Sequence, residues 1–353
     1  AVTGVQTCAL PISVPAGYKA LNTYNYPRPA DSSLWFYGDT PDLMWIKNRS
    51  TTGLHTLTDT VRGMGLNLVT SSTAAETSYP GVTEMNKFGM SIINDGTSIM
   101  NGSGNSHVYW GWKAAGGGTG ATVTNNSGTI TSQVSANPSA GFSVVTYTGD
   151  GNLGGTVGHG LSAAPSFIIV KERTASGNWP VYHTSLGKDA YLILNLTNGS
   201  GSSTSYWGTG GVTSSVFGTS TTAGASNGTN RPIVAYCWTA IPGYSAFGSY
   251  TGNGSTDGPF IYTGFRPKWI LFKNTSALTN WLLIDGVRNP YNAVDAHLHP
   301  NITNAEAIGS PAWADFTANG FKLRSSYGET NTSSQTYVYA AFAEIPFKYA
   351  RAR

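Results

Sequence analysis

Pro41–Ser50 reads PDLMWIKNRS, Pro165–Thr174 reads PSFIIVKERT and Pro267–Ser276 reads PKWILFKNTS. Each is a proline, an apolar run, a lysine at the seventh place and then a polar turn. The register persists downstream at offsets of 124 and then 102: His55, Trp179 and Trp281 correspond, as do Leu57, Val181 and Leu283. Each unit also closes alike, with YWGWKAAGG from Tyr109, AYCWTAIPG from Ala235 and YAAFAEIPF from Tyr339. Trp112, Trp238 and Phe342 align there, at offsets of 126 and 104. A unit of about a hundred residues repeated three times predicts serial copies of one small domain.

The local pattern says what that domain is made of. Phe142, Val144 and Thr146 alternate with Ser143, Val145 and Tyr147, the period of a half-buried strand. Phe167–Val170 and Ile270–Phe272 are short unbroken apolar runs, which suit strands covered on both faces. Asx-Gly steps at Asp150-Gly151, Asn198-Gly199, Asn253-Gly254 and Asp257-Gly258 favour tight hairpins, because Asn and Gly tolerate positive φ. Helical periodicity amounts to a turn or two, at Ala293–His299 and Asn304–Ala307. The expected fold is all-β: tandem β-sandwich repeats, jelly-roll or concanavalin-like, with little helix.

Boundaries follow from composition. Residues 1–12 are set apart, because Val2–Ile12, VTGVQTCALPI, looks like the translation of a sequencing-library adapter. Ala1–Ser13 has neither the basic start nor the long apolar stretch of a signal peptide. Residues 13–31 read as a proline-containing connector, 32–115 as repeat 1 and 116–140 as a Gly/Ser/Thr linker with a strand-like patch at Thr129–Val134. Repeat 2 runs over 141–242 and repeat 3 over 243–353, ending in a short basic tail. Repeats 2 and 3 open in parallel, GFSVVTYTGDG at Gly141 and GYSAFGSYTGNG at Gly243, whereas repeat 1 lacks a matching opening strand.

The chain has 353 residues, enough for each repeat to bury its own core. Charged residues are only 10%, well under the usual quarter, and glycine is abundant at 44. The net charge of +3 is spread over scattered cations with no basic stripe, so no nucleic-acid partner is expected. No apolar run approaches the length that crosses a bilayer, and no membrane insertion is expected. With Cys8 in the adapter-like stretch, Cys237 stands alone, which leaves no disulfide and no thiolate metal site.

A search for chemistry yields candidates without a constellation. His159 lies in GHG, where it serves either a ligand or an exposed turn. His297, His299 and Asp295 offer two imidazoles and a carboxylate, but no third histidine in register, so no metal is assigned. Asp59, His183 and Asp285 share one repeat position; acid and imidazole interchange there, which reads as a polar rim. Arg62 and Arg288 follow three residues after the aspartates, a spacing for local ion pairs of small worth at a surface. Asp31, Asp39 and Asp42 lack EF-hand spacing, and GGGTG at Gly116 lacks the lysine and helix of a phosphate loop. Asn195, Asn198, Asn253 and Asn301 match glycosylation triplets, as Asn/Ser/Thr-rich turns do by composition. No catalytic residue and no cofactor is assigned.

The aromatic residues carry more. Trp45, Trp112, Trp238 and Trp269 lie in apolar strands and read as core. Trp179, Trp207, Trp281 and Trp313 lie beside Asn, Gly or Ala, where a ring can pack, meet another subunit or stack on a sugar. These four are the weak ligand-binding candidates.

Longer strings carry a family resemblance. SQVSANPSAGFSVVTYTGDG, GTVGHGLSAAPSFIIVKER, GYSAFGSYTGNGSTDGPFIYTGFRPKWILFKN and the ending TYVYAAFAEIPFKYARAR resemble a family of uncharacterised repeat proteins of tailed bacteriophages, of virion or tail-fibre-like type. The resemblance spans Pro15 to Arg353, and PAGYKALNTYNYPRP resembles the segment after a SPRY-like domain in longer members. It implies the C-terminal part of a larger virion structural protein, a tail-fibre or appendage component, with no active-site residues to carry over. The implied partners are other virion proteins and host-surface glycans, with trimerisation by analogy to fibres alone. Two other classes stay open: a polysaccharide-degrading enzyme, which needs two carboxylates about 5–10 Å apart in a cleft, and a secreted lectin or adhesin.

Overall fold

The computed structural model describes residues 21–27, 33–35, 40–79, 81–86, 89–92, 99–102, 104–204, 206–219 and 226–343. The adapter-like stretch and the basic tail lie outside them. Among the described residues there is no helix, and every sheet is antiparallel. The three repeated motifs form equivalent central strands, Leu43–Asn48, Phe167–Glu172 and Trp269–Asn274. Each pairs in the same register with the strand that closes its unit: Leu43 with Trp112, Phe167 with Trp238 and Trp269 with Phe342. On the other side Leu43 faces Asp59, Phe167 faces His183 and Trp269 faces Asp285.

Strand alternation sends side chains to two different layers. In the second module Phe142, Val144, Phe167, Ile169, Tyr236 and Trp238 enter one core. Val145, Tyr147, Ile168, Val170, Ala235 and Cys237 enter another, against Val157 and Phe217 of a small second sheet (Thr156–Gly158 with Val216–Gly218). The first module repeats the arrangement, with Met44, Ile46 and Tyr109 packed on Val82, Ile92 and Met100. In the third the outer sheet is Phe260–Tyr262, Gly320–Leu323 and Ala314–Thr317. Each module is thus a two-layer β unit. The Phe142–Thr148 strand is accordingly buried on both faces, where the sequence pattern predicts one.

The inner faces meet one another. Trp112 packs edge-on against Trp238 at 5.7 Å, Trp269 at 5.7 Å and Phe342 at 5.8 Å, so aligned residues of all three modules converge in a single core. Modules 1 and 2 thus keep an outer core of their own, and the inner faces of all three modules share one.

The backbone closes the ring with the same two bonds at each interface. Glu76 N donates to Arg173 O (2.6 Å) and Gly177 N to Thr73 O (2.8 Å) between modules 1 and 2. Ser200 N donates to Thr275 O and Thr279 N to Thr197 O, both 2.9 Å, between modules 2 and 3. Glu306 N donates to Arg49 O (2.9 Å) and Gly53 N to Thr303 O (2.8 Å), returning module 3 to module 1. The repeated lysines seal these joints. Lys47, Lys171 and Lys273 are fully buried, and their ammonium groups reach Thr303 O, Thr73 O and Thr197 O of the neighbouring module. Burial pushes all three down to about 8.

Two segments read as connectors are strands of the modules. Leu21–Pro27 pairs with Ser106–Trp112, Leu21 opposite Trp112, and so takes the place that Phe142–Thr148 takes in module 2. Repeat 1 therefore has its opening strand, supplied by a segment without the Tyr-Thr-Gly turn that marks the other two. Within 116–140, Val123–Asn125 and Ser132–Asn137 extend the module 2 sheet to eight strands.

Candidate functional site

The four tryptophans singled out from sequence are interior. Trp179, Trp207, Trp281 and Trp313 are 0%, 0%, 1% and 3% exposed, so none offers a ring face to a sugar. Two of them are joints of the ring. Trp179 Nε1 donates to Val69 O (3.1 Å) and Ser72 O (3.0 Å) of module 1, and Trp281 Nε1 to Ile193 O (3.0 Å) of module 2. Trp207 Nε1 donates to Ala190 O (3.0 Å), and Trp313 packs on His297 with ring centres 4.9 Å apart.

The shared position of Asp59, His183 and Asp285 is buried, not a rim, because it points across the ring at the next module. Tyr236 OH donates to Asp59 (2.8 Å), Trp110 Nε1 donates to Asp285 (3.3 Å), and His183 Nε2 bonds Tyr339 O (3.0 Å). The Asp–Arg pairs predicted from spacing form at 2.5 Å with both side chains fully buried, so the small worth of a surface pair does not apply.

Each pair extends into a network across an interface. Glu76 bridges Arg62 (2.6 Å) and Arg173 of module 2 (2.8 Å). Glu306 of module 3 bridges Arg288 (2.7 Å) and Arg49 of module 1 (2.6 Å). Two carboxylates and two guanidiniums balance in each case. Burial alone opposes the charge on Arg62, yet Asp59 and Glu76 hold it firmly protonated.

The interface between modules 2 and 3 has none of the set. The four positions are occupied there by His183, Leu186, Ser200 and Thr275. Joint replacement keeps the buried charge at zero, since removing one member strands the others. Two of the four positions, Ser200 and Thr275, line a cleft of about 440 Å³ at this interface. Its walls include Asn178, Tyr191, Asn198, Ser200, Tyr206 and Thr275, with Leu278 73% exposed at the edge. Tyr191 and Tyr206 stack with centres 3.7 Å apart and planes 17° off parallel. Gly201 permits this, since a Cβ there would run into the Tyr191 ring. Asn195 Nδ2 donates to Asn178 Oδ1 (2.9 Å), which orients that amide. Burial, then Tyr191, pushes the Tyr206 hydroxyl up, so it stays a donor. Amides, hydroxyls and flat rings without formal charge make a surface for a polyhydroxylated ligand.

In the sequence the signal of this cleft is relational, so no single residue carries it. It appears when Leu186 is aligned with Arg62 and Arg288, and when the offset from Ser200 to Glu306 is widened to 106.

The other sequence candidates are structural. His159 is buried rather than exposed: Leu161 N donates to its Nδ1 (3.1 Å) and its Nε2 bonds Thr213 O (3.2 Å). Asp42 is buried under the Gly-rich loop and accepts from Ala114 N (2.8 Å), Gly117 N (3.3 Å) and Gly118 N (3.2 Å); the chain's own carboxylate occupies that nest of amides. Asp31 and Asp39 lie outside the described residues. His297 and His299 are adjacent, with ring centres 5.1 Å apart, while Asp295 is engaged by Asn289. Among the described residues no group of three or more His, Cys, Asp and Glu is placed to hold a metal ion.

The histidines carry a prediction. In His55, His159 and His183 a neighbouring N–H donates to Nδ1, which requires a lone pair there and hence a neutral ring. Burial holds His159, His183 and His299 down at about 4, from an ordinary 6.5. Between those values the unfolded chain binds protons that the fold refuses, so stability falls as pH drops through that window. Each group contributes at most about 1.4 kcal/mol per pH unit. Urea midpoints between pH 7.5 and pH 4 are expected to fall continuously, and a flat profile would contradict the neutral assignment.

A family model described as Domain of unknown function (DUF7483) matches residues 16–346. No curated protein and no solved structure matches the chain.

Proposed function

We propose that this chain, which belongs to the family of the Domain of unknown function (DUF7483), is a bacteriophage virion component of tail-fibre or appendage type that attaches to host-surface glycans. One observation carries the attachment reading: a cleft walled by amides, hydroxyls and stacked tyrosines includes Ser200 and Thr275, the neutral residues at the positions that Glu76 and Arg173 hold in the first interface. The repeat strings that resemble phage virion proteins support the setting, and a ring closed by three sets of joints suits rigid presentation outside a cell. The reading is of binding without bond cleavage, since the cleft's lining residues carry neither carboxylate nor imidazole. A particle bearing several copies of the cleft gains by multivalency.

The test is a glycan array with the full chain, run beside light scattering for subunit number. Binding to neutral oligosaccharides is expected. The double variant Ser200→Glu, Thr275→Arg restores the pair that Glu76 and Arg173 make at the first interface and refills the cleft. It is expected to keep the fold and lose at least about tenfold in affinity, near 1.4 kcal/mol. Unchanged affinity would move the site elsewhere, and release of oligosaccharide from a host capsule would replace attachment by catalysis.

A further inference from the structure

We propose that the outer edge of module 3, formed by Ser245–Thr251 and Phe260–Tyr262, is a slot for an extended strand contributed by another protein chain. The argument comes from module 2, where the same slot is filled. There Ser132–Asn137 runs antiparallel along Phe142–Thr148, from Ser132 opposite Tyr147 to Asn137 opposite Phe142. Just before it, Ile130 bridges Val157 in parallel; Ile130 N donates to Thr156 O (2.9 Å), and Ser132 Oγ donates to Gly158 O (2.8 Å). Ile130 and Val134 are buried in the outer core of that module.

Module 3 has both receiving edges in the same registers. Ser245 faces Phe342 as Phe142 faces Trp238, and Phe260 faces Lys322 as Thr156 faces Gly218. The phase of the ladder is also the same, because Gly252 N donates to Gln335 O as Gly149 N donates to Arg231 O. Phe247, Ser249 and Thr251 therefore turn their N–H and C=O groups outward. Among the described residues no strand pairs with this outer edge, and the bridge from Ile241 reaches only its first residue, Ser245. Exposure follows: Phe142–Thr148 is buried at five of seven positions, whereas Ser245–Thr251 is buried at one. Phe260 and Tyr262 are 47% and 68% exposed. An uncovered edge next to exposed aromatic rings is a template for strand addition.

Module 2 also shows what fits. Its filler, GTITSQVSAN over 128–137, has aliphatic residues at Ile130 and Val134 with hydroxyls and an amide between them and no charge. The occupant of module 3 is accordingly an uncharged strand of that pattern from another chain. This surface is distinct from the cleft and does not depend on the glycan reading.

A synthetic peptide with the sequence of Gly128–Asn137 is titrated into the full chain, with amide hydrogen exchange as the readout. Saturable binding is expected, with exchange slowed about tenfold or more at Phe247, Ser249, Thr251, Phe260 and Tyr262. The same peptide carrying I130D and V134D is expected not to bind, a control that leaves the protein untouched. Ser249→Pro removes one outward donor and is expected to weaken binding by about tenfold or more. Absence of saturable binding would overturn the proposal. So would protection appearing on Phe142–Thr148, or edge amides already protected in the free protein.

Discussion

Asp59→Ala is expected to lower the stability of the fold by about 3–5 kcal/mol, read as a shift in the urea midpoint. Asp59 accepts Arg62 Nε at 2.5 Å and Tyr236 OH at 2.8 Å, all within the interior. Its removal leaves a buried guanidinium with Glu76 as its one bonded carboxylate, beside the Leu57 carbonyl, and a tyrosine hydroxyl without its acceptor. The interface between modules 2 and 3 indicates the remedy. Replacing the set at once, D59H with R62L, E76S and R173T, copies His183, Leu186, Ser200 and Thr275 into the first joint. The quadruple variant is expected to lie within about 1–2 kcal/mol of the parent, because a balanced buried set can be exchanged for neutral groups with little net change. If the quadruple variant is as damaged as Asp59→Ala, the four positions do not act as a unit.

Trp112→Ala is expected to cost about 3–5 kcal/mol, the range for emptying a buried indole site. The larger effect is on cooperativity. Trp112 touches Trp238, Trp269 and Phe342, which come from the other two modules, so a cavity there loosens all three. The parent is expected to unfold in one transition, coincident by fluorescence and circular dichroism, with the variant shifted but still single. Three separable transitions in the parent would contradict a shared core.

Much of this fold is legible in the repeats. PDLMWIKNRS and its two counterparts mark the central strands, and Trp112, Trp238 and Phe342 mark the closing ones. What alternation along a strand cannot show is what lies beyond each face. Phe142–Thr148 looks half-buried because period two identifies an apolar face, and says nothing of a second layer packed on the other side. A related limit hides the burial of Lys47, Lys171 and Lys273, whose charge argues for solvent until Thr303, Thr73 and Thr197 carbonyls arrive from the next module. Trp179 and Trp281 look loose for the same reason: their neighbours in sequence are polar, and their packing is across a joint. The candidate cleft is a property of an interface, so single positions such as Tyr191 or Ser200 carry no mark of it.

The bonds from Gly53 to Thr303 and from Glu306 to Arg49 join the earliest motif to the latest. A ribosome making this chain delivers module 1 long before the residues that close against it exist. Until Thr336–Phe342 emerges, the Trp112 site lacks one of its walls, although module 2 is already there to pair with the first module. The nascent protein must therefore wait, partly assembled and with apolar surface uncovered, for that strand to lock the circle.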